Sequence, residues 1–189
     1  TLEDFAGMFR YSKLIEAVND ADTSILSNIT TVKMYKYFTP TLNSGLKYTL
    51  SYNNALYNPH SGHNSSGGGV ISSSGFKVNN DSSLNEHFLD DDGAGNLRLY
   101  YLSGTARVYT DATYGTVDYA TGEVVLTSAH ITSISNIDGA SSTQVRVFAT
   151  PSSNDIVPVR NQVLSIDTSN STITGEVDGI ESGSSQAGT

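Results

Sequence analysis

Three short stretches of the chain hold residue types at spacings that suit chemistry. Asp90-Asp91-Asp92-Gly93-Ala94-Gly95-Asn96 sets carboxylates at alternate positions beside glycine bends, which is how hard-cation loops are built. Asp90 and Asp92 would take the first and third ligand positions. Ala94 stands where a third oxygen is wanted, and no bidentate Glu closes the loop, so an acidic hairpin turn explains the same residues. His60 and His63 have a spacing open to a transition metal, but they need a third ligand, and their Gly/Ser-rich setting argues for solvated loop residues. The expectation is therefore no metal site, with Asp90 and Asp92 as the weak candidates.

The catalytic inventory is thin. No Gly-x-Ser-x-Gly elbow is present, and Gly67-Gly68-Gly69 lacks the Gly-Lys-Ser/Thr that makes a phosphate cradle. Asp118, Glu123 and Glu86 could supply paired carboxylates, yet carboxylates on exposed strand edges serve solubility more often than glycoside hydrolysis. Without cysteine there is no thiolate zinc site, disulfide or cysteine nucleophile. The sequence reads as a protein that is not an enzyme and needs no cofactor. Its distinctive feature is eleven Tyr with no Trp. Most lie in expected strands, where they pack half-buried or form a protein-binding or sugar-binding face.

The elements that position these residues follow from periodicity. Thr1 and Asp4 resemble a helix start, and Phe5, Met8, Tyr11, Ile15 and Val18 then recur at steps of three or four, predicting an amphipathic helix over Leu2 to Asn19. Ser24 could cap a short turn carrying Ile25, Leu26 and Ile29. From Thr31 to Phe38 the period becomes two, and Pro40 closes that strand. Further strands are expected at 46–52, 70–71, 76–78, 87–89, 97–102, 106–109, 115–119, 123–126 and 144–149, with a last hairpin over 163–174. Residues 53–69 read as a long loop. The fold class is α+β and β-rich: one N-terminal amphipathic helix, then about ten short, mainly antiparallel strands. The expected division is a helical segment over 1–30, a β-rich domain over 31–178 and a flexible tail over 179–189.

Composition agrees. At 189 residues the chain is the size of one domain, and its charged fraction is 15%, against about 25% in an average soluble domain. Its polarity comes from 27 Ser, 20 Thr and 17 Gly, the residues of solvent-facing strands and turns. A net charge of −9 with no basic cluster argues against nucleic acid. No apolar run approaches the roughly 20 residues of a membrane-spanning helix. Thr1 opens directly into the helical pattern, as expected of a fragment.

Two stretches together resemble a known family. Asp4 to Ile15, running on through Asp22-Thr23-Ser24-Ile25-Leu26-Ser27-Asn28-Ile29 to Met34, is similar to the C-terminal half of the baseplate wedge subunits of T-even-type contractile-tailed phages, a baseplate J-like family. Gly115-Thr116-Val117-Asp118-Tyr119-Ala120-Thr121-Gly122 resembles that family's Gly-x-Ile/Val-Asp-Tyr-x-x-Gly hairpin, and Pro158 to Asp167 its closing segment. The resemblance implies a structural protein of the virion tail baseplate, assembled in the host cytoplasm. It also implies partners: copies of itself, as homodimer or ring contacts, and other wedge proteins, with neither nucleic acid nor membrane. It carries no catalytic residues. The expected interface is Phe5, Met8, Tyr11, Ile15, Val18, Tyr35 and Tyr37; the alternative is a carbohydrate-binding or adhesin-type β domain.

Overall fold

The computed structural model describes residues 7–63, 69–158 and 164–177. Within them the chain forms one helix, α1 (Tyr11–Asn19), and nine strands: β1 (Met34–Phe38), β2 (Gly45–Ser51), β3 (Ile71–Ser73), β4 (Phe76–Val78), β5 (His87–Asp91), β6 (Asn96–Ser103), β7 (Ala106–Asp118), β8 (Glu123–Ile134) and β9 (Val145–Ala149). A 3-10 turn follows at Thr168–Asn170. Every strand pairing is antiparallel. The β-rich α+β expectation is met, with a shorter helix and nine strands where about ten were expected.

The ladder β4–β5–β6–β7–β8 returns to β4, so five strands close into a small barrel. Closure removes the exposed edges that an open sheet of these strands would leave. β2 joins this barrel by pairing with β8, whose stretch Glu123–Leu126 lies between β7 and β2. A second sheet, in the order β1–β9–β3, packs beside it. Its central strand is buried at Val145, Val147 and Ala149, which share one apolar core with Phe76, Leu89, Leu97, Leu126 and Ile131 of the barrel.

Bulges break the two-residue alternation of the strands. Along β8 the buried positions are Val124 and Leu126, then Ala129 and Ile131, so the two-residue alternation slips by one. Opposite that slip, Leu46 pairs with Ala129 and Tyr48 with Leu126: two steps on β2 face three on β8. An extra residue in one strand re-aims the side chains beyond it and keeps both halves facing the core. β7 carries larger irregularities, since Leu97 pairs with Gly115 but Leu99 with Asp111. The expected separate strands at 106–109 and 115–119 are therefore one bulged strand.

Three further expectations are corrected. Gly7 to Arg10 are not helical, because Phe9 exchanges both backbone hydrogen bonds with Ile156, at 3.0 Å each. The helix begins only at Tyr11, whose amide donates to Asp155 Oδ1 at 2.8 Å. No helical turn forms at Ser24 to Ile29; the Asp22 carboxylate takes the Ser24 amide at 2.8 Å and holds a tight turn instead. The last hairpin is absent: 164–166 and 172–174 are not strands, and Asp167 accepts from the Ser169 and Asn170 amides to start the 3-10 turn. Thr1 to Phe5, Val163 and the tail from 179 lie outside the described residues.

Candidate functional site

Two surfaces hold the expected interface residues, and the structure keeps them apart. The first is the arm that precedes β1. Its helix has no buried residue. Met8 is 43% exposed, while Tyr11, Ile15 and Val18 are half-buried; Phe5 lies outside the described residues. The Tyr11 hydroxyl donates to the Thr30 carbonyl at 3.0 Å, and Asn28 Nδ2 to Asn19 Oδ1 at 2.6 Å, so the coil after α1 folds back along it. On that coil Leu26 is 80% and Ile29 98% exposed. Neither belonged to the expected stripe, because they fall in a stretch with no regular period. Their only signal was two apolar residues flanking Ser27-Asn28 with nothing nearby to cover them.

The second surface is the face of β1 and β9. Tyr35 and Tyr37, two residues apart, share one side of β1 and meet edge to face with centroids 5.4 Å apart. Phe148 of β9 lies 5.8 Å from Tyr35, and the Arg146 guanidinium sits 4.9 Å over the Phe148 ring. Arg146 is held by a two-pronged ion pair to Asp138, at 2.7 and 2.9 Å. Burial, then a hydrogen bond with Asp167, pushes the Tyr35 hydroxyl up to about 12. Tyr35 is thus engaged within the chain, by β9 and by the segment around Asp167. Tyr37 remains exposed.

The acidic run divides its work along β5. Successive strand residues point to opposite faces, and Asp90 and Asp91 are both buried. Asp90 accepts from Arg98 Nε at 2.9 Å and Nη2 at 3.1 Å, from Arg107 Nη1 at 2.6 Å and from the Tyr109 hydroxyl at 2.9 Å. Arg98 stacks 4.3 Å over Tyr109, and Arg107 4.6 Å over Tyr100. Two cations around one carboxylate, each covered by an aromatic face, leave that carboxylate occupied by the fold itself. Asp91 takes the Ile71 amide at 2.8 Å and the Tyr119 hydroxyl at 2.7 Å, tying β3 to the barrel. Asp92 takes the Ala94 and Asn96 amides and the Asn96 side chain, closing the β5–β6 turn. His60 and His63 lie together in an exposed loop, Nε2 to Nδ1 3.3 Å. Among the described residues no group of three or more such side chains is placed to hold a metal ion.

The hairpin motif is built from the same logic. Gly115 faces β8 so closely that a Cβ would sit 1.9 Å from the Val125 carbonyl oxygen. Val117 is buried, Asp118 accepts from the Ala120 and Thr121 amides, and Tyr119 reaches Asp91. Gly122, at φ +72°, lies against the Asn54 backbone. Gly115 thus lets β7 approach β8, while Asp118 and Gly122 shape the turn between them.

A family match falls on the arm and on Tyr35 and Tyr37 of β1. Residues 1–37 match the family described as baseplate structural protein gp6, C-terminal domain III. The match spans the arm and ends within β1; the barrel lies outside it. It supports a structural protein of the phage baseplate, in the virion tail, meeting other baseplate proteins. No curated protein matches the chain.

Proposed function

We propose that this chain is a self-associating structural module of a wedge subunit, which joins neighbouring subunits into the baseplate ring by shape and burial and not by catalysis. The observation that carries this reading is the arm: the segment matched to a baseplate family holds a helix with no buried side chain and leaves Met8, Leu26 and Ile29 to solvent. Isolated short helices are marginal in water and gain most of their stability from packing an apolar face. A nine-residue helix is well below the length that stands alone, so a partner surface against Met8, Ile15, Val18, Leu26 and Ile29 would complete it.

Sedimentation across a concentration series tests this. The chain should shift from monomer to a defined oligomer, and Leu26→Ser with Ile29→Ser should move that transition to higher concentration. A chain that stays monomeric to the highest accessible concentration would remove self-association, and association unchanged in the double variant would remove the arm as its surface.

A further inference from the structure

β1 is an edge strand of the small sheet, and the bonding of β9 defines its free side. The Ser74 amide donates to the Arg146 carbonyl at 2.8 Å, and the Thr150 amide to the Val70 carbonyl at 3.1 Å. Backbone groups alternate sides along an antiparallel strand, so Arg146 and Phe148 turn toward β3, and Val145, Val147 and Ala149 toward β1. The β1 residues opposite those three are Phe38, Lys36 and Met34. The N–H and C=O groups of Tyr35 and Tyr37 therefore point away from β9, and they have no hydrogen-bond partner among the described residues. Such an edge is a template for one more strand. Its inward face is also incomplete, because Met34 and Phe38 are only half-buried.

One segment of the chain suits this edge. Ser171 is extended, and every residue from 171 to 177 is exposed. Thr172, Ile173, Thr174 and Val177 are strand-forming types, with Ile173 93% and Val177 96% exposed. Laid antiparallel on β1 with Ile173 opposite Phe38, the segment sets Gly175 opposite Lys36 and Val177 opposite Met34. Thr174 and Glu176 then face Tyr37 and Tyr35, the two residues with free backbone groups. Both apolar side chains fall on the inward face, over Met34 and Phe38. Gly175 leaves room for Lys36, whose Nζ donates to the Ser51 carbonyl at 2.6 Å. A copy of β1 fits less well, since pairing Tyr35 with Tyr37 of the copy sets Lys36 opposite Lys36. We propose that residues 171–177 add as a strand to the β1 edge of a second copy of this chain. In its own chain the segment stands clear of β1, which pairs with β9 alone. Asp167, hydrogen-bonded to the Tyr35 hydroxyl, roots it beside β1. Two copies meeting at that edge can therefore exchange segments reciprocally, as a twofold interface requires. The inference rests on self-association but not on the apolar residues of the arm.

Cysteine pairs test it, because the chain has no cysteine of its own. Positions 34 and 177 form a non-hydrogen-bonded pair in this register, with Cα atoms about 4.5 Å apart and within disulfide reach. Under mild oxidation, Met34→Cys chains should form mixed disulfides with Val177→Cys chains, and Phe38→Cys chains with Ile173→Cys chains. The crossed combination, Met34→Cys with Ile173→Cys, should stay at background, since those positions lie about 14 Å apart in the register. Adding Thr174→Pro to the Val177→Cys chain removes the amide facing Tyr37 and should cut the 34–177 yield about fivefold. An oligomer that forms neither bond overturns strand exchange and leaves self-association standing, whereas a chain monomeric at every concentration overturns both. Equal yield from the crossed combination would mean random collision and overturn the proposal. So would a chain carrying both Met34→Cys and Val177→Cys that closes within itself at high dilution, because the segment would then lie on its own β1.

Discussion

The barrel and the arm are made from the same kinds of residue and end in opposite states. Around Asp90 both oxygens of a buried carboxylate are met by Arg98, Arg107 or Tyr109, and the barrel's apolar core, with Leu89 and Leu97, is buried. Along the arm, α1 has no fully buried residue, and Leu26 and Ile29 of the following coil stand in water. One region is complete within a single chain, while the other has a face and no surface to set it against. Stability should therefore reside in the barrel, and association in the arm.

That division can be broken most forcefully at Asp90. Asp90→Ala removes the carboxylate that Arg98 and Arg107 share; although Arg98 keeps its bond to the Asp91 carbonyl and Arg107 is partly solvated, losing the central partner of a largely buried ion cluster costs about 3 kcal/mol. Chemical denaturation should show a loss of that size, and a loss under about 1 kcal/mol would mean water reaches the cluster. Ile131→Val is a gentler probe of the same core, expected to cost about 1 kcal/mol. Acid offers a third approach. The Thr121 hydrogen bonds hold the Asp118 carboxyl below its ordinary value, and the Arg146 pair does the same for Asp138. A carboxyl depressed by folding contributes stability above its unfolded value near 4, and that contribution fades as pH falls through the lower folded value. The melting temperature should accordingly begin to drop below about pH 4, and Asp118→Asn with Asp138→Asn should flatten the drop. The smallest effect belongs to the arm: Leu26→Ser with Ile29→Ser should change the stability of the monomer by less than about 0.5 kcal/mol. A large loss there would show that the arm is part of the folded core and erase the contrast.

How far the sequence revealed this contrast depended on the period of each segment. The 123–126 strand and its hairpin were legible because Gly115, Asp118 and Gly122 are each demanded by local geometry. The helical period runs back past the true helix start, through Met8 and Phe5, whereas Phe9 is claimed by Ile156, far along the chain. Such a long-range pair leaves no local mark. The bulges in β7 and β8 hid for a related reason: an extra residue shifts the phase, and a shifted phase looks like a strand end. The triple aspartate has the spacing of a cation loop, but the partners of Asp90, namely Arg98, Arg107 and Tyr109, sit on two other strands.

The pairing of β1 with β9 also sets an order of events during synthesis. About 110 residues separate Met34–Phe38 from Val145–Ala149, so β1 leaves the ribosome long before the strand that will hold it exists. At roughly 5–20 residues per second that wait is about 5–20 seconds, during which Tyr35, Tyr37 and Phe38 form a nascent aromatic strand without a template. The barrel strands, each joined to a near neighbour in sequence except where β4 meets β8, can pair within that interval. The small sheet thus forms after the barrel strands, and the Phe9–Ile156 bridge later still.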